Sequence, residues 1–101
     1  MSLTTDLNAA IARDARLAIL NELAKQVDGR LNDQAMAHVL DVIGVRRSRD
    51  WVRTQLRALA ELDAVLLIDA GELLVAELTA TGRDHVERRI IIEGVARPRD
   101  A

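Results

Sequence analysis

Residues 46–57 read RRSRDWVRTQLR and set five arginines against one aspartate. A guanidinium is planar and permanently charged, and its fork of N–H donors fits phosphate oxygens and the guanine edge. A compact block of such groups therefore points to a polyanion. On a helix, Arg49, Arg53 and Arg57 recur every four residues and form one stripe, turned away from Val52, Leu56 and Leu59. The spacing predicts that all three point outward together. Thr54 and Gln55 stand beside them for polar contacts to bases, while Arg46 and Arg47 precede the helix within reach of a flanking phosphate. Ser48, between the two groups, suits a helix N-cap. The alternative is a solvated face on which Asp50 and Glu61 partner the arginines along the helix and Arg46 and Arg47 are ordinary turn residues.

Other chemistries find few residues to carry them. The chain has no cysteine, which excludes disulfides, thiolate nucleophiles and thiolate metal sites. His38 and His85 are isolated in sequence and read as surface histidines, so no metal is expected. Ser2 and Ser48 are the only serines, and the five glycines are scattered singly, which leaves neither an activated nucleophile nor a phosphate-cradling loop. The expectation is a protein without enzymatic activity or cofactor. Trp51, the only aromatic residue, reads as a structural or interface residue and gives no stacking platform for single-stranded bases.

The charge is local. Formal net charge is -2 over 101 residues, yet residues 46–57 carry +4 and residues 58–78 carry five acids and no base. A basic patch on an acidic body presents one face to a polyanion and repels it elsewhere. Length suits a single domain with one modest core, and half the residues are hydrophobic. No apolar run approaches the roughly 18–20 residues that span a bilayer, and the start MSLTTDLNAA lacks the regions of a signal peptide. A cytoplasmic protein without a membrane partner is expected.

The elements that must position the arginines follow from periodicity and caps. A long first helix is expected from an Asp6 cap to near Gly29, with Leu7, Ile11, Leu17, Leu20, Leu23 and Val27 among its apolar positions. Arg30 and Leu31 allow a short extended bridge. Asn32 then caps DQAMAHVLDVI, and Gly44 stops it. Ser48 caps the third helix, which ends at Leu62 or Asp63. Val65 to Ile68 and Leu73 to Leu78 flank the turn Asp69-Ala70-Gly71-Glu72 as a hairpin. Thr79 or Thr81 caps a last helix with Val86 and Ile90 turned inward. Residues 1–92 form the domain, and residues 93–101, with Pro98, form an extended tail.

The order is helix, short strand, helix, helix, hairpin, helix, a mainly α chain with a small β-hairpin. "SRDWVRTQLRALAELDAVLLI" followed by "ELTATGRDHVERR" resembles bacterial winged helix-turn-helix regulators, in which a recognition helix leads into a wing and returns through a Leu-Thr-x-x-Gly-Arg turn. The whole chain, with its arginine-rich turn and the tail Gly94-Val95-Ala96-Arg97-Pro98, is similar to small Mu-like bacteriophage and prophage proteins, whose functions are poorly characterised. Asp63 stands where many winged-helix relatives have glycine, so some strain is expected at that turn. The arginine block and the winged-helix resemblance together point to a transcriptional regulator in a bacterial or prophage setting that binds double-stranded DNA through residues 49–62, with Arg46, Arg47, Ser48, Arg49, Arg53, Thr54 and Arg57 at the contact. Because one such helix binds weakly alone, a homodimer paired through the first or the last helix is expected. The hairpin tip, with Asp69 and Glu72, is ill suited to grip phosphate. It favours the alternative, the same fold used as a phage protein-interaction module that meets a phage or host protein.

Overall fold

The computed structural model describes residues 2–99. Four helices and three strands follow in the order α1 (Leu3–Lys25), β1 (Arg30–Asn32), α2 (Asp33–Val42), α3 (Arg49–Glu61), β2 (Val65–Ala70), β3 (Leu73–Leu78) and α4 (Ala80–Val86). The strands form one antiparallel sheet in the order β1-β3-β2, with Leu31 opposite Ala76 and Leu67 opposite the same Ala76 from the other side. The fold is an α+β globule.

Local chemistry explains most boundaries. Side chains of Asn32, Ser48 and Thr79 accept hydrogen bonds from Ala35, Trp51 and Gly82 N–H, each satisfying a donor that the helix's first turn leaves open. α1 begins earlier than the expected Asp6 cap, because the Ser2 hydroxyl accepts from Thr5 N–H. It also stops at Lys25, so Val27 lies in the exposed link to β1 and not on the buried stripe. Gly29, at φ 70°, turns the chain so that its carbonyl accepts from Leu78 N–H and β1 can pair with β3.

The core is aliphatic. Ile19, Leu20 and Leu23 of α1 meet Met36 and Leu40 of α2, and Val52, Leu56 and Leu59 of α3 close over them, with Ala76 of the sheet beneath. Each large side chain so buried contributes about 1.5–3 kcal/mol. The last helix is shorter than the sequence suggests. Arg88 adopts φ 64°, Arg89 N–H reaches back to the Asp84 carbonyl, and the helix ends, leaving Ile90 and Ile91 exposed. Ile92 and Val95 enter the core instead of Ile90. The segment after Ile92 has no helix or strand as far as Arg99, and it is tied back by Ala96 N–H to the Arg13 carbonyl; residues 100 and 101 lie outside the described residues.

His85 is fully buried, which corrects its expected surface position. Its Nδ1 accepts from Ile92 N–H at 3.1 Å, so the ring proton sits on Nε2 and is donated to the Ala96 carbonyl at 2.9 Å. One imidazole thereby fixes both ends of the returning segment. His38 is exposed.

Two backbone positions make opposite demands. Asp63 takes φ 61° so that Ala64 N–H can reach the Leu59 carbonyl and close α3. At Gly82 a Cβ would lie 2.2 Å from the Ala64 carbonyl oxygen, which holds α4 tightly against the start of β2. Asp63→Gly is expected to raise stability by about 0.5–1 kcal/mol, and Gly82→Ala to lower it by about 2–4 kcal/mol. Urea unfolding of the three proteins measures both shifts.

Candidate nucleic-acid interface

The site begins at the first residue of α2. Asp33 follows the Asn32 cap and its side chain is fully buried. A carboxylate there suits the helix dipole, but burial requires that its oxygens be paired. Oδ2 accepts from Arg49 Nε at 2.7 Å and from Arg53 Nε at 2.5 Å, and Oδ1 accepts from Leu74 N–H at 2.9 Å. Both guanidiniums continue to the Glu72 carbonyl at the hairpin turn, Arg53 Nη2 at 2.7 Å and Arg49 Nη2 by a short contact. One carboxylate and one carbonyl thus bind α2, α3 and the β2–β3 hairpin together. Burial alone would raise the Asp33 pKa, but the hydrogen bonds from Arg49 and Arg53, with that from Leu74, outweigh it and hold the carboxyl well below the usual carboxylate range. Arg49 is shifted upward in turn, chiefly by its hydrogen bond to Asp33.

This geometry corrects the sequence expectation for the stripe. Arg49 and Arg53 do not point outward with Arg57; they fold toward the hairpin, and neither expected intrahelical acid, Asp50 or Glu61, is their hydrogen-bonding partner. The i, i+4 spacing aligns them as expected, but their common target lies elsewhere in the chain. Gln55 is buried and accepts from Arg16 Nε at 2.9 Å, while Arg16 Nη1 donates to the Gly94 carbonyl at 2.9 Å, so it is no base-contacting residue.

The remaining residues of the set stay near the surface. Arg46 lies 3.3 Å from Asp41 in an exposed pair, an arrangement of little energetic consequence. The Arg47 guanidinium carbon sits 5.6 Å from the centre of the half-buried Trp51 ring, a cation–π distance that stiffens the turn. Ser48 is committed to the cap, and the Thr54 hydroxyl donates to the Asp50 carbonyl at 3.1 Å. Arg57 is exposed and has no ion pair among the described residues. The outward face of α3 therefore carries Asp50, Thr54, Arg57 and Glu61, a mixture of signs. Between α3 and the hairpin turn, a depression of about 340 Å³ is lined by Arg49, Asp50, Arg53, Gly71 and Glu72.

Asp33 and Arg16 are the residues that sequence reasoning missed. An acid at the start of a helix is ordinary, and nothing within α2 marks this one as buried. The available signal is the surplus of arginines at spacing four, which demands a partner somewhere. Among the described residues no group of three or more His, Cys, Asp or Glu is placed to hold a metal ion, and no helix is long and apolar enough to cross a membrane.

Fold and site define a small α+β globule in which an arginine-rich turn and helix are partly built into the structure. No family model and no solved structure matches the chain. It is 36% identical over 93 residues to the uncharacterized protein gp26 of Escherichia phage Mu, a match that covers 92% of this chain and 96% of that protein. The chain belongs to the family of this phage Mu protein. The resemblance to Mu-like phage proteins thus has a full-length relative behind it, whereas the winged-helix resemblance has no matching family or structure.

Asp33→Asn is expected to lower stability at neutral pH by about 2–4 kcal/mol, less than a wholly orphaned charge pair would cost because both guanidiniums reach water. The carboxyl is depressed in the folded state, so its contribution is complete above the unfolded aspartate pKa of about 3.9 and is lost as pH falls from there through the folded value. The gap between wild type and Asp33→Asn should therefore be constant above about pH 5 and narrow progressively below it. Denaturant titrations across that range test the sign.

Proposed function

We propose that the chain is a winged helix-turn-helix protein that binds double-stranded DNA with α3 and the turn before it, as a transcriptional regulator in a phage or prophage. The observation that carries this reading is the division of labour among the arginines. Arg49 and Arg53 lock α3 against α2 and the hairpin, and Arg46, Arg47 and Arg57 remain at the surface on and beside the same helix. A helix held rigidly by its neighbours, with cationic groups beside it, suits entry into a major groove. Two guanidiniums against one carboxylate also leave that cluster with one net positive charge, which adds to the local field.

The revised assignment gives Arg46, Arg47 and Arg57 the phosphate contacts and Thr54 a base-edge contact. Arg49, Arg53 and Ser48 act by holding the helix in place.

A second reading, a protein-interaction module of phage origin, is favoured by the acids around the helix. Asp50 and Glu61 share the outward face of α3, and Asp69 and Glu72 crown the hairpin; all four are exposed. Alternating signs suit a protein surface of complementary charge better than a uniform polyanion.

Fluorescence anisotropy of labelled duplexes from the chain's own genetic neighbourhood, over a salt series, separates the two. With three phosphate contacts per chain, log K should fall against log salt with a slope of about -3 per bound chain. The Arg46→Ala, Arg47→Ala, Arg57→Ala variant should lose binding and keep its unfolding midpoint. Absence of duplex binding at about 50 mM salt by folded wild type would overturn the DNA reading and leave the protein surface.

A further inference from the structure

The helix α1 has two apolar faces, and the core of its own chain fills one. Ala15, Ile19, Leu20 and Leu23 are buried. On the opposite side Leu3, Leu7, Ala10, Asp14, Leu17 and Asn21 follow one another at alternating steps of four and three, the spacing of a coiled-coil seam. Every residue from Ser2 to Ala9 is exposed, with Leu3 at 85% and Leu7 at 58%. These first turns project with their leucines uncovered. The lower half of the same seam, Asp14, Leu17 and Asn21, lines a groove of about 820 Å³ together with Ile43, Val86, Pro98 and the arginines Arg88 and Arg99, and Leu17 there is already partly buried against the core. One end of the helix offers an apolar ridge, and the other offers a place to set one.

We propose that the chain pairs with a second copy of itself through this face, α1 against α1 and antiparallel, each projecting end seated in the groove of the other. The register is self-complementary. With the two-fold axis at residue 12, Leu3 meets Asn21 of the second copy, Leu7 meets Leu17, and Ala10 meets Asp14. The polar position selects the orientation. A parallel, in-register pair would press two Asp14 carboxylates together, whereas the antiparallel pair sets each opposite a small alanine and within one turn of the other copy's Arg13. Ile43, 57% exposed at the groove wall, is covered in the same step. Such a reciprocal patch is the form a two-fold interface requires. The pairing stands apart from the DNA reading, since it needs no nucleic acid.

Sedimentation equilibrium of the full chain without nucleic acid tests it. Wild type should reach twice the chain mass by about 100 µM, and Leu7→Glu, at an exposed position, should weaken association about a hundredfold with its folded circular dichroism unchanged. Leu3→Glu, on the most exposed turn, provides a second variant should Leu7→Glu affect folding. Because the natural chain has no cysteine, orientation can be read directly. Ala10→Cys mixed with Asp14→Cys should give the crossed disulfide in preference to either self-disulfide. A monomeric wild type, or a dimer unmoved by both leucine substitutions, overturns the interface; self-disulfides alone overturn the antiparallel register.

Discussion

A carboxylate sealed from water at the start of α2 sets the terms for the whole arginine region. Asp33 can remain charged in that position only while Arg49, Arg53 and the Leu74 N–H surround it. Those three donors come from α3, the next helix along the chain, and from β3 beyond it, so satisfying the charge fixes α3 and the hairpin relative to α2. The Glu72 carbonyl extends the constraint to the hairpin turn. Aliphatic side chains could have joined the same elements, but greasy contacts slide, and a bidentate charged contact does not. The arrangement trades some stability for a fixed angle between helix and hairpin.

A similar solution recurs on the other side of the molecule. The core has no phenylalanine or tyrosine, and its aliphatic residues leave the segment after α4 with only Ile92 and Val95 as apolar anchors. Polar staples supply the rest. His85 accepts from Ile92 and donates to Ala96, while Arg16 donates to Gln55 and Gly94, so directional hydrogen bonds tie the returning chain to α4 and α1, and α1 to α3. The Arg16 staple joins residues 39 and 78 positions apart and the His85 staple residues 7 and 11 apart, and each uses a side chain that composition alone would assign to the surface.

That difference in range explains what could be read from the residues. Caps are decided within three positions, so Asn32, Ser48 and Thr79 were legible, as was the unusual φ of Asp63 from the missing glycine. Hydrophobic period located both inner helices and the hairpin. The ends of α1 were less legible, because Ser2 and Asp6 are both acceptable caps and the stop depends on where β1 must begin. Asp33, Arg16 and His85 were illegible in their roles, since their partners lie 7 to 78 residues away, beyond the reach of a cap. The arginine stripe shows the limit most clearly. Spacing of four correctly places Arg49 and Arg53 together, yet spacing carries no information about which neighbour the stripe faces.

The charge that remains is unevenly placed. With Arg49 and Arg53 committed to Asp33, the strongest unbalanced positive groups of this region are Arg47 and Arg57, with Arg46 only loosely held by Asp41. The exposed acids Asp69 and Glu72 lie at the hairpin tip, on the flank where Arg49 and Arg53 fold over. The surface charge of this region is therefore mixed, with cations at the turn before α3 and on its outward face and acids at the hairpin tip. The clamp on Asp33 holds α3 and the hairpin to α2 beneath this surface. The buried acid thus engages two of the five arginines of residues 46–57, whose guanidiniums still reach water, and leaves Arg46, Arg47 and Arg57 outside the clamp.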